Sequence, residues 1–131
     1  MDNYFERVKS FLLDLDYNIT YESAEEEVFV VENADAGMHN LVIAVAEPII
    51  IMEQYLFELK DNKPEVFQKL LVKNRDIVHG AFALDEAGYK VVFRDTLQLE
   101  NLDQNEIEGS LNSLELLLSE YSDELIEFSK N

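Results

Sequence analysis

A chain of 131 residues without cysteine, with 28 acidic against 10 basic side chains and a formal charge of -18, has the length of one domain. It can bury roughly two thirds of its unfolded surface without disulfides or thiolate metal sites. The charge opposes nucleic acid and anionic membranes, which are held by clustered Lys and Arg, and the missing cysteine removes thiol nucleophiles, redox pairs and zinc fingers.

An apolar share of 47% is that of an ordinary globular protein. The opening MDNYFERVKSF mixes acids into an amphipathic pattern, and Glu47-Pro48 interrupts the longest apolar run. Residues 1–131 therefore read as a single cytoplasmic domain without a secretion signal or membrane span. In such a chain the glycosylation triplet Asn18-Ile19-Thr20 is a chance match.

Tyr4, Phe5, Val8, Phe11, Leu12 and Leu15 fall at helical spacing and predict a first helix from about Asp2 to Leu15. After the polar stretch ESAEEE, the run EVFVVEN reads as a strand, NADAG as its turn and HNLVIAVAE as its hairpin partner. Pro48 ends that strand. The segment from Ile49 to Leu59 fits either period, but its β-branched start and the alternation Glu53, Tyr55, Phe57 favour a third strand. A second helix follows, with Asn62 as its cap, Pro64 in its first turn and Val66, Phe67, Leu70 and Leu71 on its apolar face before Asn74.

In VHGAFALDEAGYKVVFRD, the loop Asp85-Glu86-Ala87-Gly88 reads as a four-residue hairpin connection. This sets Leu84 against Tyr89, Phe82 against Val91 and Gly80 against Phe93 on the core face, with the Phe93 ring over the bare glycine. On the other face Ala83 meets Lys90, Ala81 meets Val92 and His79 meets Arg94. An arginine opposite His79 disfavours the charged imidazole, so His79 reads as a strand residue and not a general base. His39 lies forty positions away, and no HxH, HExxH, calcium-loop or phosphate-loop spacing is present. Catalytic, cofactor-binding and metal residues are accordingly expected to be absent, and the acidic runs read as solvated faces.

Asp103 followed by Glu106 resembles a capping box, and Ile107, Leu111, Leu114, Leu118, Tyr121, Leu125 and Phe128 recur at 4,3 spacing. This predicts a last helix of about twenty-five residues, close to 40 Å long at ~1.5 Å per residue. Leu116, Leu117 and Ile126 widen the stripe. The helix should cover its own sheet for part of its length and can meet another subunit with the rest. From Asp103 onward there are eight acids and one lysine, whereas Lys60, Lys63, Lys69, Lys73 and Arg75 surround the second helix. These complementary surfaces can face each other within a protomer, across a dimer, or not at all.

The expected fold is α+β: an antiparallel sheet of about five strands with three helices, in the order α-β-β-β-α-β-β-α. This order and the segment VFQKLLVKNRDIVHGAFALDEAGYKVVFRDTLQLENLDQNEIEGSLNSL resemble the type III secretion chaperone-like fold, shared by the Tir chaperone (CesT) family and the YbjN-like bacterial sensory transduction regulators. The parts that match best are LLVKN, the hairpin GAFALDEAGYKVVF, the link RDTLQLENLD and the amphipathic helix after it. The resemblance implies a non-enzymatic, dimeric protein; the secretion chaperones of this fold bind an extended partner segment over hydrophobic patches. The long last helix and the basic second-helix region depart from the pattern.

Function is therefore expected to be that of a small acidic protein-binding domain, a YbjN-like regulator or chaperone that holds a segment of a partner protein and forms a homodimer. The alternatives are a type III secretion effector chaperone proper, or a small-ligand binder or enzyme whose site is assembled from scattered residues. The expected partner or dimer surface comprises Ala81, Ala83 and Val92, which form a flat strip, and Leu118, Tyr121, Leu125 and Phe128, which run past the width of the sheet.

Overall fold

The computed structural model describes residues 3–61 and 63–130. Helix α1, Tyr4–Asp14, starts where the Asn3 side chain accepts from the Glu6 amide at 3.1 Å, and it buries Phe5, Val8 and Leu12. The expected start at Asp2 and the expected cap Asn62 lie outside the described residues. Helix α2, Pro64–Lys73, begins with proline in its first turn. Helix α3, Gln104–Ser129, runs 26 residues, and its Asp103 cap accepts from the Glu106 amide at 2.9 Å.

Six strands form one antiparallel sheet, one more than expected: β1 (Asn18–Ser23), β2 (Val28–Asn33), β3 (Met38–Ala46), β4 (Ile49–Glu58), β5 (Ala81–Leu84) and β6 (Lys90–Gln98). The additional strand is β1. It is an edge strand exposed along most of its length, so it lacks the apolar alternation by which a half-buried strand is recognised. Across the sheet the order is β1-β2-β3-β4-β6-β5. The first four strands meander; α2 then carries the chain to the far edge, and β6 returns between β4 and β5.

The ambiguous segment from Ile49 is a strand, with one correction to its facing. Tyr55 pairs with Val92 and Phe57 with Val91, which leaves Leu56 as an extra residue. The bulge reverses the alternation: Phe57 joins Ile50 and Met52 in the core while Glu53 and Tyr55 face the other way.

The helices build a single core on one face of the sheet. Phe29, Leu41, Ile43, Ile50, Met52, Val91 and Phe93 pack there against Phe5, Val8 and Leu12 of α1 and Ile107, Leu111 and Leu114 of α3. Each such side chain contributes about 1.5–3 kcal/mol. The Phe5 and Phe29 rings stack with centroids 4.3 Å apart, and Arg7 Nη2 donates to the Leu102 carbonyl at 3.0 Å, joining α1 to the entry of α3. At the other end α2 packs against the second half of α3. Lys73 Nζ lies 2.8 Å from Glu124 and 4.6 Å over the Tyr121 ring, and Lys69 sits over Phe128. The basic and acidic helices thus face each other within the protomer.

The terminal hairpin is displaced by two residues from its expected register. Ala81 pairs with Arg94, Phe82 with Phe93, Ala83 with Val92 and Leu84 with Val91. The cause is Asp85, whose carboxylate accepts from the amides of Gly88, Tyr89 and Lys90, each at 3.0 Å, while its own amide donates to the Lys90 carbonyl. Asp85 therefore closes the hairpin against Lys90, and the loop becomes Glu86–Tyr89, with Gly88 at φ 84. A two-residue shift preserves the facing of every side chain, whereas a one-residue shift would have inverted it.

His79 consequently does not meet Arg94. It is exposed and precedes β5, with its backbone N–H and C=O bonded to Ser113 Oγ at 3.3 and 2.7 Å. Arg94 pairs instead with Glu53. Gly80 also precedes β5, yet the Phe93 ring does lie over it: a Cβ there would stand 2.5 Å from Phe93 Cζ, and φ is +80.

Substituting Gly80→Val combines a left-handed backbone with a clash against a core ring, and should destabilise by about 1–3 kcal/mol. An unchanged denaturant midpoint would contradict this packing. Backbone N–H donors, that of Lys90 foremost, hold the Asp85 carboxyl below its ordinary value of 3.8. A depressed carboxyl stabilises fully above its unfolded value, and the contribution disappears as pH falls through the lower folded value. Asp85→Ala should therefore be less stable than the parent at neutral pH, with the gap closing only below about pH 3.8. Denaturation midpoints across a pH series would read this, and a gap independent of pH would rule out the charged cap.

Candidate functional site: an uncovered sheet face

Strand register places a continuous set of side chains on the face opposite the helices. One row runs Tyr21, Val30, Val42, Glu53, Arg94 and Ala81 across all six strands. Beside it run Val28, Ala44, Ile51 and Thr96 on one side, and Tyr55, Val92 and Ala83 on the other. Six strands at ~4.8 Å spacing span about 24 Å, and the three rows extend about 13 Å along β4, giving a face on the order of 300 Å². A contiguous patch of that size is comparable to the largest on a typical monomer, which is often functional.

The face is mostly apolar, with an ion pair at its centre and Glu32, Thr96 and Lys90 towards its margins. Tyr21, Val42 and Tyr55 are 51%, 38% and 50% exposed, and the Glu53–Arg94 pair sits among them with both side chains near 40%. An ion pair this exposed contributes at most about 1 kcal/mol. Its geometric effect is to tie β4 to β6 across the middle of the face.

At the β5 edge the Asn74 carboxamide takes the place of a neighbouring strand. Its Oδ1 accepts from Phe82 N at 2.7 Å, and its Nδ2 donates to Phe82 O at 3.2 Å. A groove of about 280 Å³ adjoins, between α2 and β5, walled by Phe67, Leu70, Leu71, Leu84 and Val91. Leu71 stands 68% exposed at its rim.

Of the expected surface residues, Ala81, Ala83 and Val92 come together on the uncovered face. Leu118, Tyr121, Leu125 and Phe128 lie on the opposite side, under α3. Tyr121 is tilted on Phe82 and Phe128 on Phe57. Leu125 and Phe128 are only 7% and 6% exposed, so that end of the helical stripe is mostly buried in the core. The sequence reading did not assign Val30, Val42, Ile51 and Tyr55 to a surface. Their signal was present, since β2, β3 and β4 are apolar at successive positions and hence on both faces.

Two serines of α3 are engaged in structure. Ser113 Oγ bonds the His79 backbone, and Ser110 Oγ donates to Asp95. Among the described residues no group of His, Cys, Asp and Glu could hold a metal, and no helix is long and apolar enough to cross a membrane.

The CesT_Tir_1 family model matches residues 1–131, and no curated protein matches the chain. Among solved structures, E. coli YbjN superposes with a TM-score of 0.69 at 14% identity, over 91% of each chain. The heterodimeric ExoU–SpcU complex from the type III secretion system of Pseudomonas aeruginosa contributes a match at TM-score 0.66 and 16% identity, over 86% of this chain and 92% of that one. The Yersinia pestis type III secretion chaperone SycH, solved in complex with a fragment of YscM2, matches at 0.60 and 17%, over 97% and 100%. At these identities the three share the fold.

Proposed function

The chain belongs to the CesT_Tir_1 family, and from that premise we propose that it is a non-enzymatic cytoplasmic protein that holds a segment of a partner protein on its uncovered sheet face. The observation that carries this reading is a six-stranded sheet whose second face is apolar, continuous and without a helix of its own. SycH and the ExoU–SpcU complex, which share the fold, are each solved with a protein partner, and this supports the same mode here. The superposition with YbjN over 91% of each chain supports a YbjN-like regulator; the alternative is a secretion effector chaperone, and the identity of the bound polypeptide distinguishes the two. With a net charge of -18 the segment taken up is apolar with cationic flanks, since anionic chains are repelled.

The β5–β6 end of the face, Ala81, Ala83 and Val92, with Leu71 and Leu84 at the adjoining groove, serves a homodimer contact; Val30, Val42, Ile51 and Tyr55 remain for the partner. Two chains of this charge repel, but at physiological salt a screening length of ~8 Å confines the repulsion to charges near the contact.

Affinity purification of tagged protein from its native cell, followed by mass spectrometry, should recover a stoichiometric polypeptide that Val42→Glu loses while its denaturation midpoint changes little. A retained metabolite without any polypeptide would favour the small-ligand alternative. In sedimentation experiments the parent should dimerise more tightly as salt rises, and Val92→Glu should weaken the dimer at least about tenfold, or 1.4 kcal/mol. A parent that stays monomeric at high micromolar concentration in every buffer refutes the dimer.

A further inference from the structure

Helix α3 turns Ile107, Leu111 and Leu114 to the core, yet Leu116, about 200° around the helix from Leu114, is also apolar and stands 53% exposed. A groove runs along each side of it. The first, about 220 Å³, lies between α3 and the link of residues 76–79, with the 79% exposed Val78 in its wall. The second, about 680 Å³, lies between α3 and the turn Ala34–Ala36. Asn112 and Leu116 line both, so these two residues, one turn apart, form a ridge with a groove on either hand. The wall of the first groove is fixed: Ser113 Oγ fastens the His79 backbone at both N–H and C=O, and Gly109 leaves room for the imidazole, since a Cβ there would stand 3.3 Å from His79 Nε2. Each groove carries two carboxylates, Asp76 and Glu120 in the first and Asp35 and Glu115 in the second. No lysine or arginine lines either groove, and among the described residues none of the four carboxylates forms an ion pair or accepts a hydrogen bond. Lys73, over the Tyr121 ring of the first groove, is matched by Glu124.

We propose that this ridge docks an amphipathic helix with lysine and arginine on its flanks, carried by a partner protein. Helices pack ridges into grooves, and a ridge with a groove on both sides takes the two side-chain rows of an approaching helix. A flat strand would touch the crest and leave both grooves unfilled. Leu116 and Val78 meet the apolar stripe of such a helix, while the cations at its margins lie over the two pairs of carboxylates and cover apolar surface with their stems. The cationic requirement follows from the lining, which holds four carboxylates and no lysine or arginine. Burial under a neutral partner would desolvate these charges without compensation. A second copy docking through the same ridge would set the four against four more, and nucleic acid or anionic membrane is repelled for the same reason. The ridge belongs to the helical side of the sheet, so the inference stands apart from the reading of the uncovered face.

The test uses the full chain and a synthetic leucine–lysine peptide of about five helical turns with one apolar and one cationic face. The expected result is saturable binding that draws the peptide into helix, read by circular dichroism, with amide shifts in NMR at Gly37, Val78, Asn112 and Leu116. Leu116→Gln, at an exposed position that leaves the core intact, should weaken binding about tenfold. Glu115→Gln with Glu120→Gln should weaken it by about the same factor and flatten its salt dependence. Glu25→Gln with Glu100→Gln removes equal charge outside both grooves and should leave affinity within about twofold. Equal losses from the two charge pairs would mean attraction by net charge alone, and shifts centred on Val42 and Tyr55 would put the peptide on the sheet face. Either result overturns the proposal, as does binding without saturation or an unchanged affinity in Leu116→Gln. Self-association of the parent that Leu116→Gln abolishes in sedimentation would give the ridge to a second copy and overturn it as well.

Discussion

One constraint shapes the molecule: three helices cover only one side of a six-stranded sheet. Helices α1 and α3 bury Phe29, Ile43, Met52 and Phe93 on one face. The remaining helix, α2, is not available for the other face because its contacts run to α3, through Lys73 to Glu124 and Lys69 to the Phe128 ring. Strands β2, β3 and β4 are nevertheless apolar on both sides, the pattern of strands enclosed by two layers. A sheet written for two layers and supplied with one leaves an apolar face uncovered, and the candidate site follows from that shortage.

The charge distribution follows the same division. Acids crowd α3 and the β1–β2 connection, where they are solvated or matched by α2, and the uncovered face carries chiefly Glu32, Glu53 and Arg94. The Glu53–Arg94 pair neutralises the centre of that face. Repulsion from a net charge of -18 therefore acts around the apolar surface more than on it, and within a screening length of ~8 Å the rim governs which flanking charges a bound chain can carry.

How far this could be read from the sequence depended on which local signal decided each feature. Helix α3 was legible because capping at Asp103 and the spacing from Ile107 to Phe128 act over one element. The chain order of the elements was legible for the same reason, apart from β1, whose pairing with β2 buries almost nothing of its own. The hairpin register was missed by two residues because it is set by one carboxylate: nothing in LDEAGYK shows that Asp85, and not Leu84, closes the ladder. The Leu56 bulge is likewise a tertiary event that inverts Phe57. For the site, Ala81, Ala83 and Val92 could be grouped from within the hairpin. Joining them to Val30, Val42 and Tyr55 required knowing that β4 lies beside β6, a pairing across some forty residues. Leu125 and Phe128 were taken for surface because a helix stripe does not reveal that Phe57 and α2 close over its end.

The treatment of the sheet edges indicates how a partner binds. An exposed edge strand invites another strand to pair with it, yet both edges here are obstructed. At β5 the Asn74 carboxamide already satisfies the outward N–H and C=O of Phe82, so an incoming strand must first displace two hydrogen bonds. At β1 the extra residue Thr20 breaks the register, and its hydroxyl turns back to the Val30 carbonyl at 3.1 Å. Lys9 holds Glu22 at 3.1 Å beside that edge, and Glu25 and Glu26 add like charge after it. Bulges and charges of this kind twist an edge away from pairing. With backbone pairing discouraged at both margins, the side chains of the open face are what remains for the partner proposed above, through shape and apolar contact.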